Sequence, residues 1–220
     1  MGIQLDFLAV LQEWPLLLSG VAWTVSLTAL ATVVGLTLGI AFAWSRTSGP
    51  VWLKLVVGTY VELIRNTPFI VQLFFVFFGL PAAGVKLTPG AAAVISMVIN
   101  LSAYATEIVR AGLAATPKGQ IEAAQSLALS RVQIFTRVIL PPALTKVWPA
   151  ISGQIVIVML GSAVCSQVSV PELSYAANLI QSRNFRSFEA SIIATLIYLV
   201  LAIVLRRILN WAGPRLLIGR

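Results

Sequence analysis

Residues 118–141 read KGQIEAAQSLALSRVQIFTRVILP, the longest interruption in an otherwise apolar chain. Gln120 to Leu127 is made of good helix formers, and Pro117 and Gly119 can turn the chain out of the apolar run before them. Ala123 and Ala124 offer a small face that lets a helix sit deep in a groove of another protein. Glu122, near the start of that helix, suits the positive end of its dipole and could meet a basic group on the partner. Read alone, the stretch is either a docking helix or an amphipathic helix lying on a membrane surface.

What surrounds it is membrane-like. The chain has 220 residues, 59% of them hydrophobic and 10% charged, with a mean hydropathy of +0.95. Soluble domains carry about 25% charged residues, so the chain has too few to cover a water-facing surface and reads as an all-α polytopic membrane protein. Its net charge of +8 comes from residues scattered between apolar runs, which topology explains better than nucleic-acid binding. With one cysteine, Cys165, an intrachain disulfide and a CxxC metal site are excluded. The absence of histidine removes the usual general base and most zinc sites, so no catalytic and no metal residues are assigned.

A spanning helix needs about 20 apolar residues. Five segments qualify: 18–44, 55–80, 89–110, 147–165 and 188–209. The second carries a polar knot, Glu62-Leu63-Ile64-Arg65-Asn66-Thr67-Pro68, either inside the span or at its cytoplasmic end. The first fifteen residues hold Asp6 and Glu13 and no basic residue, unlike a cleavable signal. Placing the N-terminus outside puts Arg46, Lys54, Arg65, Arg110, Lys118, Arg131, Arg137, Lys146, Arg206, Arg207, Arg215 and Arg220 on the cytoplasmic side. It leaves Lys86, Arg183 and Arg186 outside, and twelve against three decides the orientation. The C-terminus and the 118–141 stretch are then cytoplasmic. The whole of 1–220 is expected to be one transmembrane domain, with 117–141 as its coupling segment.

Lys118-Gly119-Gln120, Glu122-Ala123-Ala124 and Ile139-Leu140-Pro141 together resemble the EAA signature of membrane subunits of ATP-binding cassette (ABC) importers. Glu62 to Gln72, with its E-x-x-R-N-T-P order, is similar to a segment of the permeases for polar amino acids, the histidine- and glutamine-permease group. So is Ser102-Ala103-Tyr104-Ala105-Thr106-Glu107-Ile108-Val109-Arg110-Ala111-Gly112, with Ala111 where that family favours glycine. The resemblance runs from about residue 20 to 206. It implies the type I importer fold, five transmembrane helices with a short cytoplasmic coupling helix, and a permease in the cell inner membrane. It implies ABC ATPase subunits docked on Lys118, Gly119, Gln120, Glu122, Ala123, Ala124 and Ala128, with ATP and Mg held by them and no cofactor on this chain. It also implies a second permease copy or close paralogue, an extracytoplasmic substrate-binding protein, and a polar amino acid as cargo. The family has glycine where Ala128 stands. Alanine is disfavoured at positive φ, so the turn there either keeps an ordinary conformation or absorbs strain.

Ionisable and polar groups at membrane depth are functional candidates. Asn100, Tyr104 and Glu107, spaced i, i+4, i+7, share one helix face, and Gln72 could join them in lining a substrate pathway. Alternatively Glu107 and Arg110 pair with each other, or with Glu62 and Arg65, as structural ties. Thr67-Pro68 is a packing kink or a gating hinge. Gly35 and Gly39 form a GxxxG that could serve dimerisation. The segment 166–187, holding Glu172, Arg183 and Arg186, is the outer loop in which a docking protein could be met. An intramembrane enzyme fits poorly, since Asp6 is the only aspartate. A self-sufficient channel or secondary transporter is the alternative, although no internal duplication supports it.

Overall fold

A computed structural model describes residues 5–218; Arg220 lies outside them. The described residues form helices α1 (Phe7–Leu11), α2 (Trp14–Ser48), α3 (Val51–Arg65), α4 (Phe69–Ala82), α5 (Pro89–Ala114) and α6 (Lys118–Ser126). They continue as α7 (Arg131–Val168), α8 (Leu173–Asn184) and α9 (Ser187–Ile218). Helices α2, α5, α7 and α9 are each long and apolar enough to cross a membrane, and α3 with α4 makes a fifth crossing if the bent pair counts as one.

That pair corrects the continuous second span expected over 55–80. Helices α3 and α4 meet at 111°, because Pro68 has no N–H to donate to the carbonyl of Ile64 and disfavours helical geometry at Thr67. The polar knot sits at the break itself: Ile64 is buried and Thr67 half-buried, while Glu62, Arg65, Asn66 and Pro68 are exposed. Arg65 sits level with Tyr104, whose hydroxyl donates to the Arg65 carbonyl at 3.5 Å. Tyr104 is ten residues, about 15 Å at 1.5 Å per residue, from the C-terminal end of α5.

The fourth span also differs. Helix α7 starts at Arg131 rather than 147 and runs without a break to Val168. Ser130 caps it reciprocally with Gln133: the Gln133 N–H donates to Ser130 Oγ at 3.3 Å and the Ser130 N–H to Gln133 Oε1 at 2.8 Å, a capping box. Pro141 and Pro142 are tolerated because a wider π turn over Ile134–Ile139 precedes them and they fall in the first turn of the α-helical part.

The core runs along the α2–α5 contact, where Leu27, Ala31, Met97 and Leu101 are buried together with Leu73 of α4. Gly35 and Gly39 face into this contact and are not left for dimerisation. A Cβ on Gly39 would stand 2.6 Å from that of Ala105, and one on Gly35 3.0 Å from that of Leu101. Gly39→Leu should therefore lower the stability of the purified protein by about 2 kcal/mol or more. Thermal unfolding checks this, and an unshifted transition would place that helix face elsewhere.

The segment 166–187 is not an open loop. After a left-handed turn at Ser169 (φ 62°) the chain re-enters as α8, packed on α2 and α9. Gly20 permits the close approach, since a Cβ there would lie 2.8 Å from Leu173 Cα. Glu172, expected on the surface, is fully buried. Its carboxylate accepts from the Tyr175 N–H at 2.8 Å and from the Tyr198 hydroxyl, and the Leu173 N–H donates to Thr24 Oγ1 at 3.3 Å. A buried carboxylate needs such donors; with the Thr24 bond they tie α8 to α2 and α9. Trp14, Trp23, Trp52 and Trp211 are exposed, whereas Trp44 and Trp148 pack inside the bundle.

Candidate functional site

Helix α6 carries the motif on its outer side. Lys118, Gly119, Gln120, Glu122 and Ala123 are exposed, and Ala124 is buried. The two alanines therefore do not form one outward face: Ala123 points away from the bundle and Ala124 anchors the helix to it. Gly119 has open space around the position of a Cβ. Leu127, at the end of the helix, is 74% exposed. Sequence reasoning passed over it, although an apolar residue next to a helix-ending turn is a usable signal for a contact.

The turn absorbs strain. Ala128 has φ 54°, and its N–H donates to the Gln125 carbonyl at 2.9 Å while that of Leu129 reaches the Ala124 carbonyl at 3.3 Å. These two bonds are those of a Schellman helix end, which favours glycine at the Ala128 position. Ala128→Gly should stabilise the protein by ~1 kcal/mol. An unchanged or lowered unfolding temperature would contradict the strain.

The segment is fixed to the bundle behind it. Ile134 and Phe135 are buried, and the Phe135 ring stacks on Trp44 with centroids 4.9 Å apart. Helix α5 approaches α7 at Gly112, where a Cβ would meet the Ala143 carbonyl oxygen at 2.9 Å. Contacts thus join the start of α7 to α2, and α5 to α7.

On the face shared by Asn100, Tyr104 and Glu107, the structure assembles two polar groups. Glu107 binds Arg110 through Oε2 at 2.7 Å and also binds Arg46 of α2. Arg46 was missed because it lies 61 residues away in another helix. The expected ties through Glu62 and Arg65 do not form among the described residues. Both side chains are exposed, and the Arg65 guanidinium stands 5.5 Å from the centre of the Tyr104 ring, a cation–π distance. Nearer the middle of α5, Asn100 Nδ2 donates to Gln72 Oε1 at 3.0 Å. Gln72 Nε2 in turn donates to the carbonyls of Ile64 (2.8 Å) and Thr67 (3.0 Å). Gln72 thus supplies the Ile64 carbonyl with the hydrogen that Pro68 lacks, and joins the break between α3 and α4 to the face of α5.

Beside this junction a recess of about 140 Å³ opens between α4, α5 and α7, walled by Phe69, Met97, Asn100, Ile157, Gly161 and Val164. The arrangement has no nucleophile with an adjacent base. It offers two polar groups on one face of α5, at Asn100 and at Glu107, and a recess next to the first.

A family model described as the binding-protein-dependent transport system inner membrane component matches residues 35–218. The L-cystine transport system permease protein TcyB of Bacillus subtilis is 36% identical over 196 residues, 87% of this chain and 84% of that protein. The glutamine transport system permease protein GlnP of Escherichia coli K12 is 33% identical over 210 residues, covering 94% of this chain and 96% of that one. Among solved structures, a chain of an amino acid ABC transporter with histidines superposes with a TM-score of 0.86 at 35% identity, over 97% of this chain and 100% of that chain.

Proposed function

The chain belongs to the binding-protein-dependent transport system inner membrane components, the permease subunits of ABC importers, and we propose that its cargo is an amino acid. It is a membrane-spanning transport subunit of the inner membrane. The relatives that carry cystine and glutamine, at 36% and 33% identity, support a polar amino acid. The single observation behind the coupling role is the outward-facing α6, exposed at Lys118, Gly119, Gln120, Glu122 and Ala123.

In this reading residues 1–220 form one permease domain whose segment 117–141 transmits force. Separate ATPase subunits hold ATP and Mg and close on α6. A second permease, identical or closely related, completes the pathway, and an extracytoplasmic binding protein delivers the amino acid. The N-terminus lies outside and the C-terminus in the cytoplasm, as the basic residues dictate. Gln72, Asn100, Tyr104 and Glu107 line the pathway; Arg46 and Arg110 hold Glu107 in place. ATP binding brings the coupling helices together and opens the pathway outward, and hydrolysis resets it.

Purification from native membranes in mild detergent tests the assembly. One P-loop ATPase per permease is the expected composition. Recovery of the chain alone, under conditions that preserve related complexes, would favour a self-sufficient channel or secondary transporter.

A further inference from the structure

We propose that the recess beside Asn100 is a side-chain pocket for cargo that admits an uncharged side chain and rejects a charged one, so that this permease carries neutral amino acids. The proposal rests on the amino-acid reading above and narrows it. At about 140 Å³ the recess compares with the ~150 Å³ engineered cavity that takes up benzene. It is therefore sized for one side chain, with the α-ammonium and carboxylate of the cargo left in the pathway outside.

The wall chemistry sets the class. Phe69, Met97, Ile157 and Val164 are apolar, and no ionisable residue lines the recess. Asn100 is its one polar wall. Both amide hydrogens of Gln72 are taken by the Ile64 and Thr67 carbonyls, and its oxygen by Asn100. Asn100 keeps one N–H and its carbonyl oxygen. One donor and one acceptor suit an amide or a hydroxyl, and neither a guanidinium nor a carboxylate finds a counter-charge. An unpaired charge at membrane depth is disfavoured by roughly 100-fold. Farther along the same face stand the guanidiniums of Arg46, Arg110 and Arg65 around Glu107 and Tyr104. Their positive excess opposes the passage of a cationic cargo a second time.

The test is equilibrium binding of labelled glutamine, glutamate and arginine to the ATPase–permease complex in nanodiscs, without the binding protein, so that only the permease selects. Glutamine and glutamate match in shape and differ in charge. Glutamine should bind on the order of 100-fold more tightly than either of the others. Asn100→Asp should bring arginine binding up towards that of glutamine. Gly161→Leu, where a new Cβ meets nothing within 4 Å, should fill the recess and reduce glutamine binding at least ~10-fold, with the complex still eluting as one species. Arginine or glutamate binding as tightly as glutamine overturns the pocket assignment, and so does undiminished glutamine binding in Gly161→Leu. Either result leaves the amino-acid reading intact. That reading fails separately, if the complete importer with its binding protein takes up no amino acid.

Discussion

Ala123→Trp should abolish ATP-driven uptake while leaving the permease folded in the membrane, and Glu122→Lys should weaken coupling in the same direction. Both side chains are exposed on α6, so nothing within the chain opposes the change, and an exposed substitution of this kind alters stability by no more than about 0.5 kcal/mol. The added indole can meet only what docks from outside. Ala124→Trp is the opposing control. Ala124 is 4% exposed, so a ring there displaces the helix from the bundle, with overpacking of typically 1–3 kcal/mol. Retention of the ATPase on affinity-purified permease, read beside the unfolding temperature, separates the two. Ala123→Trp should lose the ATPase at least ~10-fold without a thermal shift, and Ala124→Trp should shift the transition. If Ala123→Trp retains the ATPase and transports normally, the docking face is not α6.

The second large effect is at Gln72. Gln72→Leu keeps the approximate bulk but removes the donors to the Ile64 and Thr67 carbonyls and the acceptor for Asn100. Each buried polar group left without a partner is worth about 1–3 kcal/mol. The Thr67 N–H and Oγ1 still reach the Ile64 carbonyl at 3.4 and 3.3 Å, which offsets part of the loss. The net destabilisation should be ~2–4 kcal/mol, visible as a lowered unfolding temperature, and transport should fall with it because the break between α3 and α4 adjoins the recess. Unchanged stability would mean that the 111° bend is held by packing alone.

Much of this was legible in the residues. Apolar runs located the long helices, because a bilayer admits few alternatives, and the clustered motif residues marked α6. Asn100, Tyr104 and Glu107 were placed on one face by helical period. What escaped depends on contacts between distant segments. Nothing near Glu107 points to Arg46, and nothing near Gly39 says that Ala105 lies against it. Hydropathy also reads Gln72 as a polar residue in a span, and only its contacts with Ile64, Thr67 and Asn100 across the Pro68 break explain it. Glu172 looked like a surface charge, since the turn that buries it beneath Tyr198 and Thr24 leaves no periodic signal. Ala124 reads as outward with Ala123 in the sequence, because composition does not say which side of a nine-residue helix faces the bundle.

The central claim, that this chain conducts an amino acid under the drive of a docked ATPase, is tested most directly in proteoliposomes. The complete complex with its binding protein is reconstituted, and uptake of labelled glutamine is followed with ATP supplied on the side of α6. Uptake should require hydrolysable ATP and should vanish in Ala123→Trp. Glutamine entry at the same rate without ATP would contradict the account.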